Sequence, residues 1–293
     1  MIYSFLYVLT ISIGLIFIQK IDVSISPVFS LMITATIASI YFNLINFRNI
    51  KSMYVDCFKN KKIWFLIMLL VLAMWFYTIA APGLIGASLS TFLYAAWLGT
   101  LGLLSQSFNN WENNKSKFYC SLCILLLIFA NIYIELRDSF STKAIYGILL
   151  GFIGGTSAFI YFKVSQALAK NTKLTATQIL AVRFYLAIFI LFMVLPKQSF
   201  SQYFTVNNLL SLILLAFLAL IIPLYFSQKA LDKITSEQHA IICSLCPIAT
   251  GVLQLIVFND LKMEQMVIYF LYSIVITSPY FVGKYYRKAI VST

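Results

Sequence analysis

Apolar residues run along this chain in long blocks that short polar segments separate. A helix that crosses a membrane needs about 20 mainly apolar residues, and ten blocks approach that length. They cover residues 2–18, 26–47, 63–81, 84–107, 118–136, 144–166, 175–195, 207–228, 238–258 and 265–283. The pattern therefore predicts an all-α polytopic membrane protein with ten transmembrane helices and no room for a soluble domain.

The first apolar block has no basic segment before it, because the first lysine of the chain is Lys20. A cleaved signal peptide begins with a positively charged region. We therefore expect residues 2–18 to form the first membrane helix.

Composition agrees with lipid as the solvent. Of the 293 residues, 61% are hydrophobic and 10% charged, and the mean hydropathy is +0.92, whereas soluble domains carry about 25% charged residues. The net charge of +12 could suggest nucleic acid, but the basic residues lie in short links and not on one solvated face. The expected partners are the bilayer and a small-molecule substrate, with no nucleic acid, for a monomer or homodimer.

The distribution of Lys and Arg predicts the orientation. If the N-terminus lies inside, the inner segments hold 14 of these residues and the outer loops hold 5. Cytoplasmic loops carry the excess of positive charge. Both termini should therefore be cytoplasmic, in a protein integral to the cytoplasmic (inner) membrane.

The two halves of the chain share a pattern when they are overlaid with a shift of 149 residues. Residues 26–36 then fall on 175–185, and residues 90–104 on 239–253. Five helices per half is an odd number, so the second half would cross the membrane in the opposite sense. We expect two inverted five-helix repeats, 1–141 and 142–293, with alternating access around a site between them.

A polar stripe runs along the ninth block. His239, Cys243, Cys246, Thr250 and Gln254 are spaced by 4, 3, 4 and 4 residues, which places them on one helical face. A polar face in a membrane helix lines a cavity or contacts another helix. Both interpretations stay open at this point.

The repeat gives the stripe an aromatic counterpart in the fourth block. Ser90, Tyr94 and Trp97 fall on the stripe, and Pro247, which has no amide hydrogen, should free the carbonyl of Cys243 for a substrate or ion. A polar wall facing an aromatic wall suits a small amphipathic solute. The predicted substrate-binding residues are Trp75, Ser90, Tyr94, Trp97, Arg183, Tyr225, His239, Cys243, Cys246 and Thr250.

Two ionisable residues of this set fall inside predicted helices. Arg183 would lie about 12 Å into the seventh helix, where it either bonds neighbouring carbonyls or attracts an anionic group of the substrate. His239, at the cytoplasmic start of the ninth helix, could sense pH or relay a proton. Capping or snorkelling at the membrane surface is the commoner role for such a histidine.

Local signals refine the helices. Capping boxes are predicted at Thr175–Gln178 and Thr235–Gln238. The overlapping GxxxG spacings of Gly147, Gly151 and Gly155 predict close helix packing.

The sequence assembles no catalytic or metal-binding constellation. Cys120 with Cys123, and Cys243 with Cys246, have CxxC spacing but lie in apolar blocks without a second pair of ligands. Paired carboxylates and a nucleophile beside a base are absent from the pattern. We expect neither enzyme activity nor a metal or other cofactor.

The closing half of the chain resembles a known family. The pattern consists of an aromatic residue, an Ala-Leu pair, a proline at a helix centre and an acidic residue before the last helix. In this chain these are Tyr225, Ala230-Leu231, Pro247 and Asp260, and the Arg183-Phe184 pair is similar as well. These residues resemble EamA-type transporters of the drug/metabolite transporter superfamily.

In the first half the resemblance is one of topology. Thr34 stands at the position of the arginine, Leu98 at that of the proline, and Glu112 one position from the acidic site. The resemblance implies transport of a small organic metabolite, such as an amino acid or related zwitterion. The alternatives are a non-transporting membrane partner or assembly protein on a transporter scaffold, and a lipid-carrying variant.

Overall fold

The structure, a computed structural model, describes residues 1–20, 25–109, 111–137, 141–195, 205–258 and 263–291. Over these residues the chain is helical and contains no strand. The α-helices are α1 Ile2–Lys20, α2 Pro27–Ile45, α3 Ile50–Lys59, α4 Lys61–Ile85, α5 Ala87–Asn109, α6 Trp111–Leu136, α7 Thr142–Thr172, α8 Ala176–Val182, α9 Tyr185–Val194, α10 Val206–Leu215, α11 Ile222–Leu231, α12 Ser236–Cys243, α13 Cys246–Phe258 and α14 Met263–Val291. The all-α class predicted from the sequence is confirmed.

Eight segments of the described chain are long and apolar enough to cross a membrane. They are Val28–Ile45, Lys61–Ile85, Ser88–Asn109, Asn114–Leu136, Thr142–Thr172, Ala176–Val194, Val206–Leu231 and Ser236–Val257. The first apolar helix, Ile2–Phe17, is shorter, and the last predicted block lies within α14. The chain is thus a polytopic membrane protein, while the total of ten spans stays a prediction.

Two of the predicted spans are interrupted near their middle. Arg183 and Phe184 divide the seventh span into α8 and α9, and Ser244 and Leu245 divide the ninth into α12 and α13. Each interrupted segment is still long and apolar enough to cross a membrane as one span, Ala176–Val194 and Ser236–Val257. At the second break the reason is Pro247 in the first turn of α13, which cannot donate a backbone hydrogen bond.

The eighth predicted span is also irregular. A π-helical segment, Ala216–Ile221, joins α10 to α11, and Pro223 follows in the first turn of α11. Short π-helical segments within α-helices are frequent at functional sites. These three spans belong to the second half of the chain, while in the first half α6 has a kink at Asn114.

Both predicted capping boxes are present. The amide of Thr175 donates to Gln178 Oε1 at 2.8 Å, and Thr235 and Gln238 exchange hydrogen bonds of 3.3 and 3.2 Å. These boxes begin α8 and α12, the short helices that precede the two breaks. A local sequence signal therefore begins each short helix, and the breaks follow after 7 and 8 helical residues.

Helix α7 packs closely on α4 and α5 through a row of glycines. A Cβ atom at Gly154 would lie 2.6 Å from the ring of Tyr77, and one at Gly155 would lie 2.8 Å from the carbonyl oxygen of Tyr94. One at Gly147 would lie 2.5 Å from a side chain of α4. The close packing predicted from the GxxxG spacing is confirmed at these positions.

Helix α5 crosses the break between α12 and α13. A Cβ atom at Gly99 would lie 2.6 Å from the side chain of Ser244, and one at Gly102 would lie 3.1 Å from the carbonyl oxygen of Glu237. The fourth and ninth predicted spans are therefore neighbours. At the break, α5 presents glycines, which allows the two backbones to approach closely.

Candidate functional site

Side chains from two other helices hold the break at Arg183. The carbonyl oxygen of Val182 accepts a hydrogen bond from Trp64 Nε1 at 2.9 Å, and that of Ala181 accepts one from Asn43 Nδ2 at 3.2 Å. A helix end leaves such carbonyls without partners. Because α2 and α4 supply those partners, the break is stabilised by the surrounding fold.

Arg183 lies in the protein interior, with only 2% of its surface exposed. Its Nη1 donates to the hydroxyl of Tyr161 at 2.7 Å, and its guanidinium carbon lies 4.6 Å from the centre of the Phe184 ring. Its Nε and Nη2 atoms have no hydrogen-bond partner among the described residues. Unpaired buried donors are costly, so an anionic group placed here would gain two hydrogen bonds.

Aromatic residues surround Arg183. Trp75 is buried, its Nε1 has no hydrogen-bond partner in the part of the chain that the structure describes, and its ring centre lies 6.4 Å from that of Phe184. Tyr7 and Phe184 belong to one cluster of buried side chains, against which Tyr94 packs. Unpaired donors from α4 and from the α8–α9 break thus share one aromatic region.

Tyr161 connects Arg183 to the inner end of the bundle. Its hydroxyl accepts the bond from Arg183 and donates to Gln228 Oε1 at 3.1 Å. Ser165 Oγ donates to the same oxygen at 3.0 Å. All four residues are buried, and such a bonded network fixes the direction in which the guanidinium lies.

His239 lies in the first turn of α12 and is fully buried, so its side chain does not snorkel to the surface of the bundle. Its Nε2 lies 2.8 Å from Ser227 Oγ, and its Nδ1 lies 3.0 Å from Ser4 Oγ. The ring packs against Phe162, with centres 4.6 Å apart. Both ring nitrogens are engaged by hydroxyl groups, and the histidine joins α12 to α1 and α11.

Most of the remaining polar stripe contacts α1. Thr250 Oγ1 donates to Ser12 Oγ at 3.1 Å, and Ser12 Oγ lies 3.5 Å from Cys246 Sγ. Cys243 Sγ lies 3.4 Å from His239 Nε2. Along this length the stripe forms helix–helix contacts, one of the two interpretations that the sequence left open.

The outer end of the stripe borders a cavity. Its volume is about 120 Å³. It is lined by Leu15, Thr78, Pro82, Ser88, Thr91, Pro247, Thr250, Gly251, Gln254 and Tyr269. Its lining is mainly apolar, its polar part consists of hydroxyl and amide groups, and none of these lining side chains is charged.

Polar contacts close the opposite, inner ends of α5, α7 and α12. Lys163 Nζ lies 3.2 Å from Glu237 Oε1 and donates to Ser105 Oγ at 2.9 Å. Gln166 Nε2 donates to the carbonyl oxygen of Leu231 at 2.7 Å. The bundle is therefore tied together on the predicted inner side of Arg183 and has this cavity on the predicted outer side.

The aromatic residues predicted on the fourth span face different neighbours. Tyr94 stacks on Tyr77, with ring centres 5.2 Å apart, and the carbonyl oxygen of Ser90 accepts a hydrogen bond from the Tyr77 hydroxyl. Trp97 instead faces α7, where its Nε1 donates to Thr156 Oγ1 at 2.8 Å. Tyr94 thus packs on Tyr77 of α4, and Trp97 lies against α7.

Two further residues of the sequence prediction lie elsewhere. The ring of Tyr225 lies 5.9 Å from that of Phe226, which stacks on Tyr3 in the first turn of α1. Asp260, the acidic residue of the family pattern, lies outside the described residues. The structure therefore groups Trp75 with Arg183 through the Phe184 ring and turns Trp97 toward α7.

Sequence reasoning missed the contributions of α1 and α7. Ser4 and Ser12 are eight residues apart, close to two helical turns, so a polar face on α1 could have been found from spacing. Tyr161 gave no such signal, because its partner Arg183 lies on another helix. Tyr7, whose ring centre lies 5.7 Å from that of His239, would also need the tertiary contacts.

Metal binding has no visible support in the described residues. They contain no group of three or more His, Cys, Asp and Glu side chains that could hold an ion. The five cysteines are all free.

Comparisons with known proteins address the family and the fold. Residues 145–276 match the model of the EamA-like transporter family, which confirms the resemblance of the closing half. One solved crystal structure, whose description gives no function, has a similar fold. The TM-score is 0.72 and the sequence identity is 12%, over 97% of this chain and 96% of that one. At this identity the likeness concerns the fold alone. No curated protein matches the sequence.

Proposed function

Because residues 145–276 match the model of the EamA-like transporter family, we propose that this chain is an EamA-type member of the drug/metabolite transporter superfamily and moves a small organic metabolite across the cytoplasmic membrane by alternating access. The family is one of membrane transporters of small molecules and not of enzymes. The substrate class that we propose is an amino acid or a related zwitterion.

The observation that carries this proposal is the buried guanidinium of Arg183. Its unpaired Nε and Nη2 lie on one edge of the guanidinium plane, the edge that binds both oxygens of a carboxylate in a bidentate pair. Trp75 Nε1 is a third unpaired donor nearby. The rings of Phe184, Tyr7 and Tyr94 offer an apolar environment for the rest of the solute.

Alternating access is supported by the broken spans and by the position of the cavity. Transporters often bind their substrates where membrane helices are discontinuous, and α8–α9 and α12–α13 are two such helices. A cavity on the predicted outer side with inner ends held by Lys163 and Glu237 corresponds to an outward-facing state. The ion pair would separate in an inward-facing state.

The repeat architecture belongs to the same proposal. We propose ten spans in two inverted repeats, 1–141 and 142–293, with both termini in the cytoplasm. The 149-residue shift and the crossing of α5 at the α12–α13 break support it. Labelling of single cysteines from either side of intact vesicles tests it, and an outward-facing terminus would contradict it.

The experiment begins with a thermal-shift screen of the purified protein against a metabolite panel, followed by counterflow of each hit in liposomes. Arg183→Lys keeps the charge but cannot provide two parallel donors, so counterflow should fall about tenfold or more. Trp75→Phe should lower counterflow less, because it removes only one hydrogen-bond donor, the indole Nε1.

Trp97→Phe is the matched control, since its indole donates to Thr156 outside the Arg183 region. It should transport like the wild type. Full activity of Arg183→Lys would overturn the carboxylate assignment. A complete lack of counterflow for every solute would instead favour a non-transporting membrane partner.

A lateral groove favours one second candidate, a lipid-carrying variant. It lies between α2 and α9, has a volume of about 430 Å³ and is almost wholly apolar. It is lined by Thr36, Ser39, Ile40, Asn43, Leu44, Phe47, Ile50, Tyr185 and Ile188. If lipid is the substrate, Ile40→Trp should block movement of fluorescent lipid between leaflets, and no metabolite should show counterflow.

A further inference from the structure

A second polar cavity lies at the predicted cytoplasmic surface, apart from the outer cavity. Its volume is about 330 Å³. It is lined by Gln166, Ala169, Lys170, Lys173, Leu174, Thr175, Gln228, Lys229, Leu231 and Asp232. The end of α7, its link to α8 and the end of α11 meet there, and the proposed transport function does not use its charged residues.

The cavity carries an excess of positive charge. Three lysines and one aspartate line it, and that aspartate, Asp232, already pairs with Lys229 at 3.8 Å. Lys170 and Lys173 form no ion pair with a carboxylate in the described part of the chain. The excess of about two charges matches the charge of a phosphate group, about −1.5 to −2 at neutral pH.

Lys173 is held at the cavity by an unusual backbone conformation. Its φ angle of 60° is left-handed, the one such angle at a non-glycine residue in the described ranges, and its amide caps α7 by donating to the carbonyl of Ala169 at 2.9 Å. Glycine or asparagine normally occupies this position, because other residues are strained there. A ligand for the ammonium group would explain why lysine stands here.

We propose that this cavity binds a phosphate group at the cytoplasmic face, carried by a phospholipid headgroup or by a soluble phosphate monoester. Lysine binds phosphate as a point charge, and basic pockets between membrane helices on the cytoplasmic side bind anionic headgroups. A phosphate between Lys170 or Lys173 on the α7 side and Lys229 on α11 would join two helix ends. Binding therefore stabilises the folded protein.

The test measures thermal unfolding and needs no transported substrate, so its failure is separate from failure of the transport proposal. Purified protein in neutral detergent is titrated with glycerol 3-phosphate. In parallel, protein in phosphatidylcholine nanodiscs is compared with and without phosphatidic acid. A rise in unfolding temperature with glycerol 3-phosphate identifies a soluble monoester, and a rise with phosphatidic acid alone identifies a lipid headgroup. No rise with either probe overturns the proposal.

Lys173→Gly is the sharpest variant, because glycine suits the left-handed backbone and the fold should be retained. The affinity for the effective probe should fall about tenfold. Asp232→Asn should bind more tightly, since it removes the competing carboxylate. Lys59→Ala, which removes an exposed lysine from α3, is the control and should bind like the wild type. Equal losses in Lys59→Ala and Lys173→Gly would show diffuse attraction and contradict a defined site.

Discussion

Helices at corresponding positions of the two halves differ in continuity. Under the 149-residue shift, Thr34 of α2 corresponds to Arg183, and Leu98 of α5 corresponds to Pro247. Helices α2 and α5 run unbroken through these positions, whereas the second-half spans are interrupted at Arg183 and just before Pro247. At these two positions the first half has a continuous helix, and the second half has a break.

The side chains account for this difference. Thr34 Oγ1 donates to the carbonyl of Ser30 in its own helix at 2.8 Å, so it needs no outside partner. Arg183 has more donors than its own helix can satisfy, and it reaches Tyr161 on α7. Buried polar residues occur in both halves. The comparison teaches that the buried Arg183 and His239, whose hydrogen bonds join separate helices, both belong to the second half.

Leu98→Pro should have the largest effect on this contrast. Leu98 is 1% exposed inside a continuous helix, where proline removes a hydrogen bond and clashes with the preceding turn, at a cost of about 3 kcal/mol or more. The free energy of unfolding in detergent measures the loss. Pro247→Leu, at the existing break, should change it far less, and equal losses would show that the halves do not differ in this way.

Thr34→Arg would place an arginine in the first half at the position that corresponds to Arg183. Thr34 is 1% exposed and lies in an unbroken helix. An arginine at a helix centre costs about 2.5–3.5 kcal/mol on translocon scales, and we expect a loss of that size. Thr34→Val serves as the control of similar volume. If the Thr34→Arg variant is as stable as the wild type, the first half must also contain groups that can accept hydrogen bonds from a buried arginine.

Gly154→Ala tests the joint between the halves, where α7 packs on α4. The added Cβ would lie 2.6 Å from the Tyr77 ring, and overpacking of this kind costs about 1–3 kcal/mol. Gly83→Ala, with no atom within 4 Å of the new carbon, should leave stability unchanged or higher. Equal unfolding temperatures for the two variants would contradict the close contact.

Asp232→Asn should have the smallest effect, confined to the inner link of the second half. Burial raises the pKa of Asp232, and Lys229 and Lys233 only partly oppose this. The folded protein then holds this proton more tightly than the unfolded chain, so stability falls as the pH rises above about 4. The variant should be slightly more stable than the wild type at pH 7 and equal to it near pH 3. A difference in the free energy of unfolding between variant and wild type that does not change with pH would contradict this assignment.

Local sequence signals predicted local structure well. The capping box of Thr235 and Gln238 and the glycine row of α7 are present as the spacing indicates. The break at Arg183 could not be predicted, because its carbonyls are satisfied by Asn43 and Trp64 from distant parts of the chain. An apolar run gives no sign of such partners.

The candidate site divides in the same way. The sequence placed Arg183 inside a membrane helix and recognised the stripe from His239 to Gln254 as one face. It could not tell that this face meets Ser4 and Ser12 of α1. Helical periodicity gives the direction of a side chain relative to its own axis, while the neighbour in that direction depends on how the helices pack.

By itself, the sequence determined that this protein is an all-α membrane protein and that its closing half is EamA-like, because hydropathy and spacing are local properties. The tertiary structure decided where those helices break, which polar groups pair with one another and which donors of Arg183 and Trp75 are left for a ligand. These outcomes depend on contacts between residues far apart in the chain, and such contacts exist only after the helices have packed.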